Sequence, residues 1–165
     1  MRIAIGSDKV GYQLKLDLIE HLQKQSSVNV EIEDFGVEFN EDIDYPDIGL
    51  IVAESIASGK NDRGILICGT GIGMAITANK VPGVCAANVS DSYSAERSRK
   101  SNNAQVITFG ALTIGVALAK SLVDIWLISE FQGGQSIKKT NRIGEIEKKY
   151  FKYIHCPFAE NFLKS

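Results

Sequence analysis

Short apolar runs alternate along this chain with longer segments whose apolar positions recur at helical spacing, and the alternation persists to about Trp126. Arg2 to Gly6 reads as a strand. Tyr12 to Gln25, with Leu14, Leu18, Ile19 and Leu22 on one face, reads as the helix after it. Val28 to Phe35 alternates Val28, Val30 and Ile32 with polar neighbours, and Gly36 ends it. An acidic loop from Val37 to Tyr45 leads to Pro46, which suits the first turn of a helix running to about Ser58. Gly64 to Cys68 is a third strand, followed by a helix from Gly71 to about Lys80. Val84 to Val89 leads to a polar helix from Ser92 to about Ser101, and Val106 to Phe109 to an apolar helix from Thr113 through Trp126.

Strands that alternate with helices predict a single α/β domain over residues 1–150, a doubly wound parallel sheet sandwich of Rossmann-like type. Ligands of such sheets sit at the C-terminal ends of the strands, which is where Asp8, Cys68, Asp91 and Gly110 fall. After Gly133-Gly134 the pattern changes to a basic helical stretch, Ile137 to about Tyr150. Residues 151–165 form an aromatic tail, expected to dock on the domain or on a partner subunit.

Composition narrows the partners. The chain has 165 residues, a formal net charge of -2 and 44% hydrophobic residues, so it can bury its own core and offers no overall attraction for nucleic acid or an anionic membrane. Neither an apolar leader nor a stretch of membrane-spanning length is present, which reads as a soluble cytoplasmic protein. Cys68, Cys85 and Cys156 are odd in number and without C-x-x-C spacing, and His21 and His155 do not cluster, so neither a disulfide framework nor a metal site is expected.

The chemistry concentrates in Gly64 to Ile76, a buried strand that runs into the glycine turn Gly69-Thr70-Gly71-Ile72-Gly73 and then a helix. Backbone N–H groups at such a turn favour an anion: a phosphate, a carboxylate or an enediolate. Cys68 ends the strand and the Thr70 hydroxyl lies two residues on; a thiol beside a helix start has its thiolate stabilised and can act as base or nucleophile. A small apolar residue ending a buried strand is the alternative for Cys68. A dinucleotide site is a second reading, since Asp91 follows the turn by about 20 residues. The turn follows the third strand rather than the first, however, and a thiol has no role beside a pyrophosphate. A Walker A loop would need a Gly-Lys-Ser/Thr that is missing.

Several segments, in order, resemble the family of ribose-5-phosphate isomerase B and the two-subunit galactose-6-phosphate isomerases. They are IAIGSD near the start, Asp44-Tyr45-Pro46, DRGILICGTGIGMAITANKVPGV from Asp62, SDSYSAERSR from Ser90, Asn102-Asn103, VITFGA from Val106 and EFQGG from Glu130. The resemblance spans roughly Met1 to Lys149. It implies an α/β sandwich enzyme that interconverts aldose and ketose phosphates without metal or cofactor, as a homodimer or homotetramer with sites shared between subunits. It implies that Cys68 is the base moving a proton between carbons 2 and 1, and that Gly69, Thr70, Gly71, Ile72 and Gly73 bind the enediolate oxygens, with Thr70 stabilising or relaying. Asp8 matches an aspartate near the sugar hydroxyls, and Tyr45 and Asn102 match pocket residues. Taken alone, Asp8 could cap the first helix, Asn102 end the fourth and Tyr45 pack as an ordinary aromatic.

Departures from the family are as specific as the matches. Lys9 stands where a histidine follows the aspartate, and Ser101 where a histidine credited with ring opening precedes the asparagine. The phosphate-holding arginines of Gly-Ser-Arg and Gly-Gly-Arg-His are replaced in Gly110-Ala111-Leu112 and Gly133-Gly134-Gln135-Ser136, and Lys139 matches the last of them. Lys9, Lys138, Lys139 and Arg142 are the candidate replacements, the lysines as point charges without arginine's bidentate fork; a solvated basic helix face is the alternative for each. The leading expectation is a sugar-phosphate isomerase acting on a pentose or hexose phosphate. The alternative is a complementing subunit, active only beside a paralogue.

Overall fold

The computed structural model describes residues 1–25, 27–38 and 43–151. Five strands form one all-parallel sheet: β1 (Arg2–Ser7), β2 (Glu31–Asp34), β3 (Arg63–Cys68), β4 (Ala86–Asn88) and β5 (Val106–Gly110), in the order β2-β1-β3-β5-β4. Ile5 pairs with Ile65, and Ile65 in turn with Ile107, so the three central strands are in register through their apolar middles. Six helices accompany them: α1 (Tyr12–Gln25), α2 (Tyr45–Ala57), α3 (Ile72–Ala78), α4 (Ser92–Lys100), α5 (Val116–Ile128) and α6 (Gln135–Tyr150).

Strand periodicity sorts the core into two layers. Ile3, Ile5, Ile65, Ile67, Ile107 and Phe109 point to one face, covered by α1 and α5, with Ala95 of α4. Ala4, Leu66, Cys68 and Val106 point to the other, covered by Ile48, Val52 and Ile56 of α2 and Met74 and Ala78 of α3. The sheet is therefore doubly wound, as the alternating pattern predicts. From β1 the chain moves outward to β2, and it returns to place β3 on the other side of β1. The crevice between the C-terminal ends of β1 and β3 is thus the point where the winding reverses.

Element ends differ from the expectation where local chemistry overrides periodicity. The second strand is confined to Glu31–Asp34, while Val28 and Val30 pack on the core from the approach to it. The fourth strand keeps only Ala86–Asn88 at the sheet edge. The fifth helix begins at Val116 rather than Thr113, because the N–H groups of Thr113 and Ile114 both close on Gly110 O in a preceding turn. Its apolar face, including Leu122, Val123 and Trp126, packs in the chain's own core. No described helix is long and apolar enough to cross a membrane. The expected docking of residues 151–165, with His155 and Cys156 among them, falls outside the described residues except for Phe151.

Candidate active site

Cys68 closes β3 with its side chain on the α2/α3 face, 5% exposed, in contact with the cluster that holds Leu66 and Met74. The chain then reverses sharply. Gly71 takes a left-handed φ of 77°, and a Cβ there would stand 2.7 Å from the Phe109 carbonyl carbon, so only glycine fits. This turn folds the Gly71 N–H back onto Cys68 Sγ at 3.2 Å. The Ile72 N–H meets Thr70 Oγ1 at 3.3 Å. Two amides of the expected anion-binding turn are thus engaged by the turn's own thiol and hydroxyl.

Neighbouring strands brace the turn. Thr108 Oγ1 donates to Gly71 O at 2.8 Å, Asn88 Nδ2 donates to Thr70 O at 3.2 Å, and the Leu112 N–H donates to Gly69 O at 3.0 Å. Asn88 and Thr108 were not among the residues expected from the sequence. The available signal was a polar side chain inside an otherwise apolar strand.

An open cleft of about 430 Å³ is lined by Asp8, Tyr45, Cys68, Thr70, Ile72 and Ile76, together with Gly69 and Gly73. Asp8 follows β1, and its own N–H donates to Ile67 O at 3.2 Å, which sets it beside the end of β3. One of its carboxyl oxygens accepts the Gly11 N–H at 2.9 Å, so it braces the start of the first helix and lines the cleft at once. Tyr45 opens α2 and is 41% exposed. Its ring lies on Gly73, where a Cβ would be 2.5 Å from Tyr45 Cε2, which accounts for the third glycine of the turn. Lys9 is exposed beside this group.

The remaining expected residues lie elsewhere. Ser101 and Asn102 follow α4, and Asn102 lines a second cleft of about 430 Å³ together with Asn88, Ser94 and Arg97. The residue that terminates α4 is Asn103, not Asn102: Asn103 adopts a φ of 53°, and the N–H groups of Asn103 and Ala104 close on Arg99 O and Ser98 O. Arg97 Nη2 donates to Ser101 Oγ. Lys138 and Lys139 are exposed on α6, a helix that buries none of its residues, and Arg142 pairs with Glu145 at 2.7 Å. Asp91 caps α4 by accepting the Ser94 N–H at 2.8 Å and does not line the Cys68 cleft. A single chain thus gathers Asp8, Tyr45, Cys68 and the glycine turn, and leaves Ser101, Asn102 and Lys139 outside.

Burial pushes the Cys85 thiol up, and Glu147 adds to the effect, so Cys85 holds its proton more firmly than an ordinary thiol. At the opposite end of the sheet, buried Arg63 donates to Trp126 O, Leu127 O, Ser129 O and Glu130 Oε1. Buried Arg99 faces the second Glu130 oxygen at 3.7 Å. Desolvation lowers both guanidinium pKa values, and Glu130 opposes it. His21 is bound to Asp124 at 2.8 Å on the α1/α5 side, away from the cleft. Among the described residues no three His, Cys, Asp or Glu side chains converge as a metal site would require.

A family model described as ribose/galactose isomerase matches residues 3–146. The chain is 54% identical over 149 residues to the ribose-5-P isomerase B of Listeria innocua, covering 90% of this chain and 99% of that one. It is 47% identical over 148 residues to the D-erythrulose-4-phosphate isomerase of Pectobacterium atrosepticum, covering 89% and 95%. Among solved structures, the ribose-5-phosphate isomerase B of Clostridium thermocellum superposes with a TM-score of 0.87 at 51% identity, covering 91% of this chain and 99% of that one.

Proposed function

The chain belongs to the ribose/galactose isomerase family, and on that premise we propose that it interconverts an aldose phosphate and the matching ketose phosphate with Cys68 as the base. The observation that carries this reading is the sulfur at the winding reversal, held at 3.2 Å from the Gly71 N–H and opening onto the cleft with Asp8, Tyr45 and Thr70. Cys68 takes the proton from carbon 2 of the aldose, an enediolate forms, and the same sulfur returns the proton to carbon 1. Negative charge develops on the two enediolate oxygens, where amide and hydroxyl donors fixed beforehand lower the barrier most. Gly69 to Gly73 and Thr70 supply that edge of the cleft, and Asp8 and Tyr45 orient the sugar hydroxyls. The relatives' names widen the substrate range beyond pentose and hexose phosphates to a four-carbon phosphate.

The other half of the site comes from a second copy of this chain. Ser101, Asn102 and Lys139 do not line the Cys68 cleft of their own chain, and α6 carries Ile137, Ile143 and Ile146 exposed. A homodimer at least, acting in the cytoplasm, would bring the α4 end and the basic α6 to the partner's sulfur, with Lys139 and Lys9 meeting the phosphate as point charges. Incubating the purified protein alone with four-, five- and six-carbon aldose phosphates and following ketose formation by NMR tests both parts. Turnover by the lone protein is expected. Turnover only after a paralogous chain is added would replace the homomeric site with a complementing subunit, and none in either case would overturn the isomerase reading.

A further inference from the structure

Asn88 and Thr108 are register partners on the edge strand β4 and its neighbour β5. Side by side, they present two donors to two successive carbonyls of the glycine turn: Thr108 Oγ1 to Gly71 O at 2.8 Å, and Asn88 Nδ2 to Thr70 O at 3.2 Å. Thr108 is buried, and Gly71 O also accepts the Ala75 N–H at 3.1 Å, so that bond fastens the start of α3. Asn88 is exposed and holds a different group.

Thr70 O and the Gly71 N–H belong to one peptide plane, and in a trans peptide they point in opposite directions. The N–H end donates to Cys68 Sγ at 3.2 Å, and the carbonyl end is the one that Asn88 holds. The plane is therefore pinned from both sides, by the sulfur and by the side-chain amide. Gly71 has a φ of 77° and a ψ of -14°, the values of the third residue of a type II turn. The type I form of such a turn differs chiefly by a half rotation of this same peptide, and glycine accepts either. That rotation would aim the Thr70 carbonyl at the sulfur and carry the N–H away from it.

A carbonyl oxygen facing a sulfur opposes the thiolate, whereas an N–H favours it. A donor on the carbonyl also polarises the amide and strengthens its N–H as a donor. Resting on the isomerase reading, with Cys68 as the base, we infer that Asn88 is the positioning residue for that base: it locks the Thr70–Gly71 peptide with its N–H on the sulfur. Asn88 does not line the Cys68 cleft, so it acts through the peptide and not on the sugar.

The test compares the parent with Asn88→Leu, which keeps the size of the side chain and removes the donor, and with Asn88→Ala, which removes both. Thiolate absorbance in the ultraviolet, taken as the difference between each protein and its own Cys68→Ser counterpart, titrates this sulfur alone. Asp8 and Tyr45 are the titratable side chains that line the cleft with it, and neither is changed. The titration midpoint is expected to rise by up to about one pH unit in both variants. The thermal midpoint should stay nearly unchanged, because Asn88 is exposed on an edge strand. The rising limb of kcat/KM against pH should move with the sulfur, giving a loss of about 3- to 10-fold at neutral pH that is recovered in alkaline solution. A sulfur titration that coincides with the parent's, whatever happens to activity, would overturn the inference and leave the isomerase reading intact. A titration that moves while the kcat/KM limb does not would overturn Cys68 as the base.

Discussion

Gly71 and Gly73 stand two residues apart in one turn, yet a methyl group at each meets a different obstacle. At Gly71 it would enter the Phe109 backbone at a left-handed φ, and neither can give. Gly71→Ala is expected to destabilise the protein by about 2 kcal/mol or more in urea unfolding, with loss of turnover. At Gly73 it would press on the ring of Tyr45, a half-exposed side chain that can swing away. Gly73→Ala should keep its stability within about 1 kcal/mol of the parent and lower kcat/KM by up to about 10²-fold as the cleft wall moves. Equal stability losses in the two variants would contradict this division. The glycines and Cys68 were legible because their types are rare in that order. That Gly73 exists for the Tyr45 ring was not, since the two meet only after α2 and α3 pack. Asp8 shows the limit from the other side: cap and cleft residue were competing readings, and the structure gives it both positions.

Whole elements are fixed by polar ties at the other end of the sheet from the cleft. Arg63 holds the last carbonyls of α5 and, with Arg99, the carboxylate of Glu130, so the start of β3, the end of α4 and the exit from α5 move as one body. Arg63→Ala leaves those carbonyls and Glu130 without their donor and is expected to cost about 3 kcal/mol in urea unfolding. Glu130→Gln, at an exposed carboxylate, is expected to cost about 1 kcal/mol. The Arg2 side chain and backbone bind Asp62 and hold its pKa down to about 2, against an ordinary 3.8. A carboxylate lowered on folding adds stability above its unfolded pKa and loses it as pH falls through the folded value. The thermal midpoints of the parent and Arg2→Ala should therefore differ above about pH 4 and converge toward pH 2. A gap that persists at pH 2 would assign the tie to packing instead. Among the described residues, alternation located five strands and six helices; α1, α2, α3 and α5 bury apolar faces on the sheet, whereas α6 buries none of its residues. The shortened β2 and β4 and the late start of α5 were not legible, since edge pairing and the Gly110 turn decide them.

For the molecule as a whole, the α/β class followed from alternation alone, whereas sharing of the site between two copies, which the resemblance implies, is proposed because Ser101, Asn102 and Lys139 do not line the Cys68 cleft of their own chain. The proposed sharing predicts complementation. Mixing refolded Cys68→Ala and Lys139→Ala chains, each inactive or nearly so, should restore activity at about a quarter of the sites, because a mixed dimer carries one unblemished pairing. No recovery, together with a monomer in light scattering, would return both residues to one chain. The proposed proton transfer depends on one sulfur, 3.2 Å from the Gly71 N–H at the end of β3. The direct measurement is the turnover of Cys68→Ser, in which a hydroxyl can keep the Gly71 hydrogen bond and the fold but is a far weaker acid. The predicted result is a loss of about 10²–10⁴-fold in kcat with the thermal midpoint nearly unchanged. A Cys68→Ser protein that isomerises its substrate at close to the parental rate would contradict it.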